Sequence, residues 1–441
     1  MSKTFGKYAW YCLYFLQAFV LIGAWLTNRY EVVVAGGGDA IIAVGALLGL
    51  VGGYLLLMQL ITMSGATYIE RFFGLDRLSR WHHYQGLIGW FLILNHAGLI
   101  TFGYSVLLDQ PIQEAYFGFV ALLPAVILGG VALLILDVVV LTSITIVRKR
   151  LKYEYWYFVH LLTYTAIFLA LFHQIQNGSE FIAYPWLKAY WLVLYALAFS
   201  LILWRRWIFP IYAELRFKLR VHEVVIESDD VTSIYITGEN LEKLKYKAGQ
   251  FGLWMFLQKG FMGSMHHPFS ISSSPGEQYL RITVKGIGDF SKQLKALKRG
   301  TRVLFSGPYG IFNGETKEQP TRRLFIAGGI GITPIRSILA SGIKGGDVLI
   351  YATRTASDAV FAKELSEMHN LKLVQIYSDT RSRKAYNGRL DAIILKKEVP
   401  KLAKREVWLC GPPPMMKAIK KMLIDQGMSK KQIHTEEFRL G

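Results

Sequence analysis

Four histidines lie inside two apolar stretches of this 441-residue chain: His82 and His96 in Trp81–Gly103, His160 and His173 in Tyr155–Ile175. Fourteen residues separate the first two and thirteen the second two, rises of about 21 and about 20 Å on an α-helix. Both fit inside a hydrocarbon layer about 30 Å thick. On two parallel helices the four imidazoles would form two stacked pairs, one near each membrane face. Imidazole is an axial ligand for haem iron, so two pairs imply two haems and an electron route across a bilayer. A membrane histidine can instead hydrogen-bond a neighbouring helix, but polar groups there are costly and usually functional. Fourteen residues is about 3.9 turns, so His82 and His96 nearly share a face. Thirteen is about 3.6 turns, which turns His173 away from His160 unless tilt or a local irregularity absorbs the difference. The same arithmetic prefers His82 over its neighbour His83 as the ligand, since His83 sits thirteen residues before His96.

These helices need a membrane, and the composition supplies one. Hydrophobic residues make up 52% of the chain, high for a soluble protein. Apolar segments run over roughly Tyr8–Thr27, Ala40–Met63, Trp81–Gly103, Gly118–Val147, Tyr155–Ile175 and Trp186–Phe209. The first has no small-residue cleavage site and reads as a retained span. Asp137 is the one acidic residue inside a span; it faces a polar cavity or lies near the inner end. The formal charge of +19 flanks these spans, which favours a membrane over nucleic acid. Lys3, Lys7, Arg71, Arg77, Arg80, Arg148, Lys149, Arg150, Lys152, Arg205 and Arg206 mark alternate connections, the others being nearly free of Lys and Arg. The positive-inside rule then makes both termini cytoplasmic and the third and fifth spans parallel, as expected of a multi-pass protein of the cell membrane. The stretch Ser64–Arg80 is too polar to span and reads either as an amphipathic surface helix or as a loop. Two cysteines, Cys12 and Cys410, make no disulfide framework or zinc cluster.

Near Glu214 the pattern changes. Strand-like runs at Leu215–Ile226, Val231–Thr237, Gly252–Leu257, Tyr279–Lys285 and Arg302–Ser306 predict a small antiparallel barrel to about Glu318. Strands and helices then alternate to the end, which predicts a parallel α/β sheet. The expected organisation is a six-helix membrane bundle over 1–213, a β-barrel over 214–318 and a nucleotide-binding α/β domain over 319–441. AGGIGITP at Ala327–Pro334 follows a strand and opens a helix, where glycines let backbone approach phosphate. LCGPPPMM at Leu409–Met416 ends a later strand, and ligands of open sheets bind at such ends. HPFSISSSP at His267–Pro275 offers Phe269 to stack on a flat ring and Ser270 to donate to it. VKGIGDFS at Val284–Ser291 and GPYG at Gly307–Gly310 add tight turns.

These five motifs, in this order, resemble the ferredoxin–NADP reductase superfamily. Behind six spans with two histidine pairs, they resemble the NADPH oxidase/ferric reductase family, from about the second span to the C-terminus. The compact form, without calcium-binding loops or an N-terminal regulatory domain, is similar to prokaryotic members, and no obligatory protein activator is expected. The resemblance implies that His267, Pro268, Phe269 and Ser270 hold FAD, with Ser270 near the reacting flavin nitrogen. Val284, Lys285, Gly288 and Ser291 would cradle its pyrophosphate. Gly328, Gly329, Gly331, Thr333 and Pro334 would bind NADPH, with Cys410, Gly411 and Pro412 lining the nicotinamide pocket. Arg354 and Arg389 would meet the 2′-phosphate, since the planar guanidinium donates two bonds to such a group. Phe438 would cover the flavin ring where the nicotinamide must later stack. Many soluble relatives have Arg where this chain has His267; the oxidases often have His. The implied activity is electron transfer from NADPH through FAD and two b-type haems to extracytoplasmic dioxygen, giving superoxide. Ferric-chelate reduction by the same path is the alternative acceptor, and a membrane-anchored NAD(P)H:flavin reductase with structural histidines is the alternative class.

Overall fold

The computed structural model describes residues 3–122, 124–148, 150–151, 153–259, 266–315, 322–383 and 385–436. The chain forms two compact units, one of Met1–Phe73 with Arg77–Trp204, the other of Gly74–Asp76 with Arg205–Gly441.

The first unit is helical: α1 (Lys3–Ala35), α2 (Gly37–Met63), α3 (Thr67–Phe73), α4 (Leu75–Leu107), α5 (Ile112–Leu122), α6 (Pro124–Ser143), α7 (Thr145–Arg148), α8 (Tyr153–Asn177), α9 (Ser179–Ala183) and α10 (Pro185–Leu203). Six helices among the described residues are long and apolar enough to cross a membrane. Between α2 and α3 the chain turns, and α3 buries Ile69, Phe72 and Phe73 while Arg71 lies 4.3 Å over the Tyr68 ring. The polar stretch after the second span is thus helical over Thr67–Phe73, with Ile69, Phe72 and Phe73 turned inward and Tyr68 and Arg71 exposed.

A stripe of small residues brings α2 against α4. A Cβ on Gly38 would stand 2.6 Å from the Gly103 carbonyl, one on Gly45 3.2 Å from Ile100, and one on Gly52 2.8 Å from Ile93. Gly38, Gly45, Gly49 and Gly52 recur at the spacings that place residues on one helix face. In a membrane such stripes let two backbones approach where no hydrophobic drive exists between helices. Their consequence here is that α4 is held in one register against α2, and His96 with it.

In the second unit, α11 (Phe209–Phe217) leads into a sheet of β1 (Arg220–Ser228), β2 (Val231–Thr237), β3 (Phe251–Leu257), β4 (His267–Ser270), β5 (Leu280–Lys285) and β6 (Arg302–Tyr309). The alternating run from Leu215 was expected to be strand, but its first residues are helical. Ala213 and Phe217, four apart, are both buried, so a helical face wins over the period-two pattern. Lys218 ends the helix in the left-handed region at φ 43°. The sheet order is β4-β3-β6-β1-β2-β5, antiparallel throughout, and a bridge from Ile271 to Ile282 joins its two ends into a barrel. HPFS is itself a strand, pairing with β3 through Phe251 and Ser270.

Next come α12 (Asp289–Gln293), β7 (Arg322–Gly328), α13 (Ile332–Ala340), β8 (Asp347–Thr353), α14 (Ala362–Ser366), β9 (Leu371–Tyr377), β10 (Tyr386–Asn387), α15 (Ala392–Glu398), β11 (Arg405–Cys410), α16 (Pro413–Asp425) and β12 (Ile433–Glu436). The sheet order is β10-β9-β8-β7-β11-β12, with every pair parallel. The chain builds outward from β7 on one side, then returns to β11 on the other. The C-terminal ends of β7 and β11 are therefore the switch point at which open sheets of this kind bind ligands.

Candidate functional site

In the membrane unit the four histidines meet in two pairs. The His82 and His160 ring centres are 5.5 Å apart, those of His96 and His173 6.1 Å. Two imidazoles on one iron, with metal–nitrogen bonds of about 2 Å, would have ring centres ~6 Å apart. The residues therefore fit a haem between each pair. His83 is exposed beside Tyr84, so the structure sets His82, not His83, against the partner ring. The thirteen-residue spacing on α8 is accommodated without a break, because α8 is one continuous helix. Helix crossing and side-chain reach absorb it.

Neighbours fix the rings. His96 Nδ1 lies 2.8 Å from the Gly45 carbonyl. A carbonyl only accepts, so Nδ1 carries the proton and Nε2 keeps its lone pair for a metal. A Cβ on Gly49 would stand 2.6 Å from His96 Nδ1, and one on Gly129 2.8 Å from His173 Cγ. Each histidine of this pair is seated over a glycine of a neighbouring helix. His160 stacks on Trp156 at 5.0 Å, Trp156 donates to Ser143 at 3.1 Å, and the Arg148 guanidinium lies 4.4 Å over the indole. None of Gly45, Gly49, Gly129 and Trp156 came out of the sequence reading, though the small-residue run GALLGLVGG carried the signal for two of them.

In the second unit, the end of β7 and the end of β11 clasp each other. A Cβ on Gly331 would overlap the Cys410 carbonyl and stand 2.8 Å from the Gly411 nitrogen. One on Gly411 would stand 3.0 Å from the Gly328 Cα, and one on Gly328 2.9 Å from Pro412. These three glycines serve the meeting of two loops. Gly329 differs: its φ is 51° and the space beyond it is open. It is the point where a phosphate can approach backbone at the start of α13. Thr333 and Pro334 are buried, the Thr333 hydroxyl donating to the Ile330 carbonyl at 2.9 Å, so they shape the loop. Cys410 is buried and Pro412 exposed.

On the barrel, Phe290 of α12 stacks on His267 at 3.5 Å and lies nearly parallel to Phe269 at 6.3 Å. The ring stack joins the HPFS strand to the VKGIGDFS turn. Burial, with a smaller push from His266, holds His267 down at about 4; burial and the Arg206 charge do the same for His266. Both rings are neutral at pH 7. Ser270 and Val284 are buried, Lys285 pairs with Asp230 at 3.2 Å, and Ser291 Oγ accepts from the Gly288 N–H at 2.9 Å. Phe438 lies outside the described residues.

One group missed at the sequence level ties the two halves of this unit together. Arg336 of α13 donates to the Ser272 carbonyl at 2.9 Å and Glu277 at 2.6 Å, and it also pairs with Glu364. Arg281 reaches the other Glu364 oxygen at 3.1 Å, and Ser337 donates to the Ser273 carbonyl at 2.5 Å. The segment after HPFS is thereby fastened to the helix after AGGIG. Arg336→Met should destabilise the unit by roughly 1–3 kcal/mol, since carboxylates lose their partner but Glu277 and Glu364 remain about a third exposed. Denaturation followed by flavin fluorescence measures it; a wild-type midpoint would mean the network contributes nothing.

Arg354 follows β8, is 63% exposed, and among the described residues pairs with Asp358 at 3.7 Å. Arg389 follows β10 and is exposed, as are Arg381 and Arg383 between them. The Asp379 N–H donates to the Arg354 carbonyl at 2.9 Å, bringing this loop to the end of β8. On the expectation that Arg354 meets the 2′-phosphate, Arg354→Ala should raise KM for NADPH about tenfold or more while leaving KM for NADH nearly unchanged, because charge-assisted bonds to a phosphate that NADH lacks would be lost. Equal effects on both nucleotides would remove Arg354 from 2′-phosphate recognition.

Residues 48–171 match the family described as ferric reductase like transmembrane component, 216–313 an FAD-binding domain, and 325–421 an oxidoreductase NAD-binding domain. The chain is 29% identical over 243 residues to the glycine betaine monooxygenase reductase subunit of Pseudomonas aeruginosa, covering 52% of this chain and 65% of that protein. It is 32% identical over 234 residues to the ferredoxin reductase component of 3-ketosteroid-9-alpha-monooxygenase of Mycolicibacterium smegmatis, covering 50% and 65%. The chain thus spans less than two thirds of these relatives. Among solved structures, the FAD/NAD-binding domain of nitric oxide dioxygenase from Vibrio cholerae aligns at TM-score 0.44 and 24% identity, covering 50% of this chain and 97% of that one.

Proposed function

The chain has the architecture of the ferric reductase/NADPH oxidase family, a ferric-reductase-like membrane domain followed by FAD- and NAD-binding domains of ferredoxin–NADP reductase type, and on that premise we propose that it passes electrons from cytosolic NADPH across the cell membrane to dioxygen, releasing superoxide. It is a multi-pass membrane oxidoreductase. The observation that carries the finer reading is the meeting of four intramembrane histidines in two ring pairs, 5.5 and 6.1 Å apart. When bound, FAD would take a hydride from NADPH and yield its electrons singly, and each haem would carry one at a time through the bilayer.

The chain's own residues set the conditions for this. His82 and His160 would hold the inner haem, His96 and His173 the outer, with the Gly45 carbonyl keeping His96 Nε2 free of a proton. Gly328, Gly331 and Gly411 shape the nucleotide crevice; Gly329 offers backbone to the pyrophosphate; Arg354 and Arg389 read the 2′-phosphate. The HPFS strand and the Gly288–Ser291 turn hold FAD, and Arg336 fixes the segment after that strand to α13. Moving one electron outward is worth about 2.3 kcal/mol per 100 mV, which an inside-negative potential favours when both termini are cytoplasmic.

Dioxygen is preferred as acceptor because α8 and α9 are joined by a single residue, Gly178, and α4 and α5 by 108–111. A diatomic needs no larger docking surface. Oxygen uptake and dye reduction by the purified protein with NADPH and FAD test this. Dye reduction abolished by superoxide dismutase is expected; ferric-chelate reduction that continues unchanged without oxygen would replace dioxygen by iron.

A further inference from the structure

Asp137 stands where an acidic side chain is costly. It is the only charged residue of α6, and no basic side chain forms an ion pair with it among the described residues. The Trp90 indole N–H of α4 donates to its Oδ1 at 2.6 Å. An intramembrane carboxyl group with one neutral partner is retained for a reason other than stability.

Its level in the bundle gives the reason. Along α6, Gly129 abuts His173, and Ser143 accepts from Trp156, which stacks on His160. Asp137 lies between them, eight residues from one and six from the other, about 12 and 9 Å along the axis. Along α4, Trp90 lies eight residues after His82 and six before His96, again about 12 and 9 Å. Both helices place the Trp90–Asp137 rung between the two histidine pairs. We propose that Asp137 is a tuning residue: its negative charge, oriented by Trp90 between the two haems, lowers the reduction potential of both.

The inference rests on the haem assignment above. A negative charge opposes the arrival of an electron at either neighbouring centre, and in an apolar interior that effect falls off slowly with distance. Both centres become stronger donors, which suits an acceptor as hard to reduce by one electron as dioxygen. The carboxylate touches neither pair in the described structure, so it acts through its field and takes no part in ligation.

Equilibrium redox titration of the purified holoprotein, read from haem absorbance, tests this on wild type, Asp137→Asn and Asp137→Glu. Asparagine keeps an oxygen for Trp90 and removes the charge. Both midpoint potentials should move upward in Asp137→Asn, with haem content and six-coordinate spectra unchanged, and Asp137→Glu should stay near wild type. Unchanged potentials in Asp137→Asn would overturn the tuning role while leaving two haems in place. A shift in one centre alone would overturn the placement between the pairs. Loss of haem in Asp137→Asn but not in Asp137→Glu would make the carboxylate structural and also overturn the tuning role. A wild-type protein without haem would remove the underlying reading itself.

Discussion

Replacing His96 by Ala should reduce low-spin haem from two centres to one and stop electron delivery outside the membrane, while NADPH still reduces the flavin. The ring removed stands 6.1 Å from that of His173 and is held by the Gly45 carbonyl at 2.8 Å. Alanine leaves nothing on α4 to complete a six-coordinate iron. Loss of a second-shell partner alone typically costs 10–100-fold in affinity or activity, so loss of the ligand should lower outward transfer by more than about 100-fold. Flavin reduction depends on the other unit and should stay within about twofold of wild type, as expected of sites sharing no partners. Difference spectra before and after NADPH, with a haem assay per chain, measure both. Two six-coordinate haems in His96→Ala would contradict the pairing.

The second large effect belongs to Gly331→Ala. The added methyl would overlap the Cys410 carbonyl and crowd the Gly411 nitrogen at 2.8 Å. Both obstacles are backbone, so no side-chain rotation relieves them, and the cost should reach or exceed the upper end of the 1–3 kcal/mol usual for overpacking. The loops at the ends of β7 and β11 must separate, and a displacement of about 1 Å at a reacting centre can cost about 100-fold. NADPH-dependent flavin reduction should fall by that order, with haem spectra unchanged. Gly345→Ala, in the turn before β8, is the control: nothing lies within 4 Å of the added methyl. Stopped-flow reduction of the flavin compares the two; a Gly345→Ala loss as large as that of Gly331→Ala would contradict the clasp.

The histidine pairs were legible because two ionisable residues recur at nearly equal spacing on two apolar helices. The choice between His82 and His83 was not settled by spacing alone; it depends on which ring meets His160. The glycines under His96 and His173 were not read, because a small residue in a membrane helix has no meaning until its partner helix is known. The nucleotide motifs were placed correctly at strand ends, yet their glycines divide by role only once β7 and β11 are neighbours. Strand order is a long-range property, and no local pattern states that β11 returns beside β7. Arg336 was not singled out in the sequence; it is buried because Glu277 and Glu364, distant in sequence, converge on it. HPFS was legible as a motif but not as a strand, because its pairing with β3 is a contact that no local pattern states.

The proposed electron path runs from NADPH through FAD to two haems held by His82–His160 and His96–His173. The direct measurement is anaerobic addition of NADPH to the purified, FAD-loaded protein with the haem absorbance followed in time. Reduction of two haems per chain is the predicted result; a flavin that bleaches while the haem spectrum stays oxidised, or a preparation that contains no haem, would contradict it.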